Sequence, residues 1–228
     1  MFVMTIDQQG SRIVGDRVDE LLASLAELHA ARRGLVRAFE RTVGDEVQAV
    51  LHQPDAVVEL ALTVLRWGGW TVGIGAGDVD DPLPPSVRAG SGAAFVLARE
   101  AVEAAKSRAR SVPLAVRGAA PDLAADAEGV LTLIGATAAR RSTAGWDVID
   151  ALASRGDDPR QEDVAAELGV SQQAVSQRLR TALWSEELAA RPAAARLLSL
   201  ASSARQDDRA PAVGALRTPE EAAKSEDG

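Results

Sequence analysis

A chain of 228 residues has room for one large domain or two small ones with a buried core, and its net charge of −8 makes it a poor general binder of polyanions. The absence of cysteine excludes a disulfide framework and any thiolate metal site, so a reducing cytoplasm is the expected compartment; an aromatic content of 3% leaves alanine, valine and leucine to fill the interior. Residues 1–10 hold no basic run ahead of an apolar one, and no apolar stretch approaches spanning length, so neither export nor membrane insertion is expected.

Residues 2–6 are a short apolar, β-branched run that predicts a buried strand ending at Asp7, with a loop over 8–11. A helix is predicted over 16–33, with Val18, Leu21, Leu22, Leu25 and Leu28 on one side and Gly34 closing it. Strands follow at 35–43 and 47–52, and Gly44-Asp45-Glu46 between them is a hairpin signal. Pro54 opens a helix running to Trp67, in the first turn where proline is tolerated, and Gly68-Gly69 ends it. Residues 70–79 alternate around Val72 and Ile74 and carry three glycines, which predicts a strand approached closely by another backbone. Trp67 and Trp70, flanking the Gly-Gly turn, read as plugs of the core. A loop rich in Pro, Gly and Asp over 80–91, a helix over 92–110 and a last strand over 112–116 complete this half. That order predicts an α+β sandwich over 1–119, with a mostly antiparallel sheet covered by helices on one face.

From about Pro121 the pattern is wholly helical, giving an all-α domain over 120–202. Leu123, Ala127, Val130, Leu131, Ile134 and Ala138 follow a helical period, and Arg140 and Arg141 at the end of that helix are candidates for phosphate contact. A helix over 142–154 turns Trp146, Ile149 and Leu152 inward, and residues 156–159 make a turn. Pro192 is expected to start a final amphipathic helix carrying Leu197, Leu198 and Leu200. Residues 203–228, aperiodic and built of Ala, Pro, Asp and Glu, predict a disordered tail.

Between these helices lies QEDVAAELGVSQQAVSQRLRTALW, residues 161–184. Val164, Ala165 and Leu168 fall on one helical face, Gly169 suits a left-handed helix end, and Ser171 stands where an N-cap hydroxyl is wanted. A second helix then turns Val175, Leu179 and Leu183 inward. Its outer face holds Gln172, Gln173, Ser176, Gln177, Arg178 and Thr181, and no acid occurs until Glu186. Short amides and hydroxyls beside arginine pair with base edges and phosphates. The stretch resembles the helix-turn-helix of bacterial transcription factors. The resemblance implies double-stranded DNA as partner, contacted by Ser171, Gln172, Gln173, Ser176, Gln177, Arg178 and Arg180. A homodimer is expected, because one such module makes few base contacts and two multiply affinity. The bland alternative is a helical hairpin with a polar face.

In the first half, Asp7 and Asp45 would be brought together on neighbouring strands, and two such carboxylates suit a divalent ion holding a triphosphate. Thr5-Ile6-Asp7, the hairpin Arg41-Thr42-Val43-Gly44-Asp45-Glu46, the run Val72-Gly73-Ile74-Gly75-Ala76-Gly77-Asp78-Val79 and the helix that follows resemble segments of class III nucleotide cyclases and the related GGDEF-type domains, over about 3–106. The resemblance implies a ferredoxin-like fold, Asp7 and Asp45 as ligands of Mg or Mn, and Arg41, Glu46 and Arg99 as nucleotide contacts. Active cyclases carry an asparagine one turn before the arginine matched by Arg99. Phe95 stands there and offers no hydrogen bond, so binding is implied rather than cyclisation. Such a half ahead of a helix-turn-helix is similar to the SatD-like bacterial proteins. The plainer alternative is that Asp7 and Asp45 cap turns. Three functions follow as expectations: a dimeric cytoplasmic DNA-binding regulator, first; a metal-dependent nucleotide cyclase or nucleotidyl transferase with an accessory helix-turn-helix, second; and a non-catalytic assembly module, third.

Overall fold

Phe2, Met4 and Ile6 alternate with Val3, Thr5 and Asp7, and this period of two lets one strand serve two cores. In the computed structural model, which describes residues 1–28, 33–156 and 159–203, this strand is β1 (Phe2–Gln8), the centre of a five-stranded mixed sheet. It pairs antiparallel with β3 (Glu46–Leu51) on one side and with β4 (Trp70–Ala76) on the other. Outside β3 lies β2 (Leu35–Arg41), antiparallel, half-exposed and broken by two register shifts, as an edge strand often is. Outside β4 lies β5 (Leu114–Gly118), parallel to it. Parallel neighbours need a crossover, and α4 (Ala93–Ala105) provides it.

The remaining helices among the described residues are α1 (Ser11–Val14), α2 (Val18–Glu27), α3 (Pro54–Trp67), α5 (Pro121–Ala138), α6 (Thr143–Ala153), α7 (Gln161–Leu168), α8 (Gln172–Thr181) and α9 (Trp184–Ala201). The architecture is therefore α+β. The sheet is covered on both faces rather than one. Phe2, Met4 and Ile6 meet α2, α3, α5 and α9 in the large core, while Val3 and Val50 meet Ala94, Phe95 and Ala98 of α4 on the other side. The reason lies in β4, which is buried along its whole length and glycine-bearing on its α4 face. A Cβ on Gly73 would come within 2.4 Å of Val102 N, and one on Gly75 within 2.1 Å of Ala94 O, so α4 rests directly on the strand backbone.

The helices beyond residue 120 divide between two cores. Ala124, Ala127, Leu131 and Ile134 of α5 and Ala194, Ala195, Leu198 and Ala201 of α9 belong to the sheet's core. Helices α6, α7 and α8 have a core of their own around Val148, Ala151, Val164, Ala165 and Val175. The final helix begins at Trp184, not at Pro192, which lies inside it. Pro192 and Leu188 are both exposed, so the backbone bond that proline cannot make faces water. Leu183, expected inward, is 44% exposed because the chain turns there in a left-handed conformation at φ 51°. Trp70 is buried as expected, but Trp67 is 38% exposed beside it. The helix expected over 16–33 ends at Glu27, where Leu28 turns extended; residues 29–32, the tail expected beyond Ser203 and part of the turn over 156–159 lie outside the described residues. Among the described residues no helix is long and apolar enough to cross a membrane.

Candidate nucleic-acid interface

The corner between α7 and α8 is fixed by its backbone. Gly169 takes φ 63° and ψ 34°, its N–H bonds Ala166 O at 3.4 Å, and the Val170 N–H bonds Ala165 O at 2.9 Å. These two bonds are the Schellman pattern, which satisfies carbonyls that the helix end would leave unpaired. Ser171 Oγ then accepts the Ala174 N–H at 3.2 Å and starts α8. Val175 anchors α8 by complete burial against α6 and α7, with Leu179 partly buried beside it.

The outward residues stay outward. Gln172, Gln173, Gln177 and Arg180 are exposed, and Ser176 and Arg178 are half-buried. Arg180 Nη1 donates to Gln177 Oε1 at 3.2 Å, and among the described residues neither arginine of α8 pairs with a carboxylate. The acidic side of α7 is partly neutralised, with Glu167 bound by Arg155 at 2.7 Å. A ten-residue helix is about 15 Å long, and the major groove, about 12 Å wide, admits a helix of this kind.

Arg141 is a correction. Its side chain is 1% exposed and lies 2.5 Å from Glu187, itself 4% exposed, with Nε donating to Ala182 O at 2.8 Å. The guanidinium also faces the rings of Trp146 and Trp184 at 4.8 and 5.6 Å. It is a structural ion and unavailable to a phosphate. Arg140 next to it is exposed. Nothing local in the sequence separates Arg141 from Arg140; the two tryptophans and Glu187 reach it only through the fold.

In the sheet Asp7 and Asp45 do come near each other. Asp7 faces Glu46 across the β1–β3 ladder, and the Gln8 N–H bonds Asp45 O at 3.3 Å. Burial pushes the Asp7 carboxyl above its ordinary range against the pull of Lys106, and the charge of Asp45 adds to the rise. Lys106 Nζ lies 3.1 Å from Asp7 and 2.8 Å from Glu103. Sequence reasoning missed this lysine, although it stands at the end of α4 and opens the basic run Lys106, Arg108, Arg110. The nucleotide contacts do not gather around it. Arg41 is bound to Asp16, Glu46 accepts the Thr42 hydroxyl at 2.7 Å, and Arg99 is exposed on α4, about 10 Å of helix from Lys106. Phe95 fills the space under the 80–91 loop, against Gly90. A cleft of about 600 Å³ opens beside Asp7, between Gln9, Thr71, Lys106 and Arg108. The donor set fits a divalent ion poorly: Asp7 already holds an ammonium, and no group of three acidic or histidine side chains converges among the described residues.

Comparison with family models, with characterised proteins and with solved structures gave no match to this chain.

Proposed function

We propose that the protein binds double-stranded DNA as a homodimeric transcriptional regulator of the cytoplasm, with α7 and α8 as its helix-turn-helix. The observation that carries this is the free outer face of α8: glutamines and arginines held outward by the buried Val175, on a helix without a carboxylate. Gln172, Gln173, Ser176 and Gln177 face bases, Arg178 and Arg180 face phosphates, and Ser171 holds the helix N-terminus that approaches the backbone. Selection from a random DNA pool tests the reading. An enriched palindrome with half-sites about one helical turn apart is the expected result. A pool that stays random removes DNA as the partner and leaves an assembly module.

The first half is read as a ferredoxin-like, nucleotide-cyclase-like sandwich, and the chain as SatD-like. The run β2-β3-β1-β4 supports this, being antiparallel throughout with β3 inserted between β1 and β2. Its role here is assembly, together with α5 packed on the sheet's core, and the cleft beside Asp7 is the place for a nucleotide. The competing enzyme, a cyclase or nucleotidyl transferase using Mg or Mn, is disfavoured by Lys106 on Asp7 and by the buried Phe95. Incubation with each triphosphate and either ion tests it: turnover abolished by Asp45→Asn revives the enzyme.

A further inference from the structure

Leu133 on α5 is 70% exposed, and beside it Ile134, Thr137, Leu183 and Ala190 line a mostly apolar groove of about 250 Å³ rimmed by Glu186 and Glu187. One turn before Leu133 stands Gly129, exposed in mid-helix, where a Cβ would meet nothing within 4 Å. Glycine weakens a helix interior, and nothing among the described residues requires it there. On a 3.6-residue helix Asp122, Gly129 and Leu133 fall within about 40° of one line, and Arg140 stands in the tightened turn beyond Ala138, where its N–H bonds Thr137 O at 3.1 Å. This outer line is therefore acidic at the start of α5, bare and apolar in the middle, and basic in the turn after its end. Asp122 and Arg140 are both exposed.

We infer that this face of α5 docks a second copy of the chain, the two α5 helices crossing antiparallel about a two-fold axis at residue 131. A line with opposite charges at its two ends complements itself only when reversed. With residue 131 at the crossing, Leu133 of each copy lies over Gly129 of the other, a knob opposite a bare backbone. Asp122 of each copy then meets Arg140 of the other, about 13 Å along the helix from the axis, within a long side chain's reach at a shallow crossing. The assignment rests on the homodimeric reading above and names its surface.

Sedimentation equilibrium of the full chain over about a hundredfold range of concentration tests it without DNA. A monomer–dimer equilibrium is expected, weakened at least about tenfold by Leu133→Asp and by Gly129→Leu. Leucine is the better helix former, so Gly129→Leu strengthens the monomer's helix while blocking the partner, and a loss of dimer with an unchanged or raised melting temperature is not misfolding. Asp122→Arg and Arg140→Asp each weaken self-association. Mixing these two variants restores it, because both contacts in the mixed dimer are again between opposite charges. Dimerisation indifferent to the α5 variants overturns the surface and spares the dimer. A monomer at every concentration overturns both. A dimer sensitive to α5 with no DNA selected keeps the surface and discards the operator.

Discussion

Buried and half-buried ions carry the predictions at the level of single residues. Glu187 accepts from Arg191 at 2.5 and 3.0 Å and faces Arg141 at 2.5 Å, so it holds two guanidinium groups between the α5–α9 pair and α6. Removing it strands Arg141 without a counter-ion, and Glu187→Ala is expected to cost about 3–5 kcal/mol in urea unfolding. Arg141→Met is expected to cost less, since it keeps the volume and leaves Glu187 with Arg191. Glu128 behaves differently with pH. Burial alone would raise its carboxyl, but bonds from the Val116 N–H at 2.9 Å, Arg110 at 2.7 Å and Arg117 at 3.0 Å bring it below its ordinary range. A lowered native pKa gives stability that is present above the unfolded value, near 4.5, and lost as pH falls through the native one. Glu128→Gln should therefore be less stable than the parent at pH 7, with the difference closing on acidification. Asp7 has the opposite sign: its raised pKa favours folding at low pH and loses that favour as pH rises.

At the scale of elements, α8 depends on its entry. Gly169 in the left-handed region and the Ser171 cap each contribute about 1 kcal/mol, so Gly169→Ala and Ser171→Ala are expected to lower the unfolding free energy by that amount each. The α8 surface itself separates by role. In gel shifts over a salt series, Arg178→Ala should weaken binding to all sequences and reduce the salt slope by about one, whereas Gln173→Ala should mainly relax sequence choice. Equal losses for both at every site would count against major-groove reading. The glycines of β4 belong to this scale as well. Their spacing announced a close neighbour, and α4 is that neighbour.

For the whole molecule, the join between the two cores is polar. Arg66 on α3 binds Asp150 on α6 through two contacts of 2.6 Å, and its guanidinium lies 3.8 Å from the Trp146 ring, which Arg141 faces at 4.8 Å. The Arg66 ion pair and its cation–π contact, at a part-exposed site, contribute about 1 kcal/mol or less each, which leaves the buried Arg141–Glu187 pair as the stronger tie. The α6–α8 unit should open before the sheet does. Arg66→Ala is expected to quicken hydrogen exchange across α6, α7 and α8 and to leave β1 and β4 unchanged; uniform acceleration would show one cooperative body instead.

The α+β class, the strands and helices in their order, the caps of α8 and the turn at Gly169 were legible in the sequence, because each depends on neighbours within a few residues. Pro54, Gly68 and Ser171 act locally, and periodicity sorts inward from outward faces. What the sequence could not give was partnership at a distance. Arg140 and Arg141 are adjacent and chemically alike, yet one is exposed and the other lies buried against Glu187, forty-six residues on. Lys106 found Asp7 only because α4 lies along β1 and β4, and α5 and α9 bury their apolar faces in the sheet's core rather than with α6, α7 and α8. Local periodicity chooses the element; burial against distant chain chooses which charge is paired and which is left free to meet a ligand.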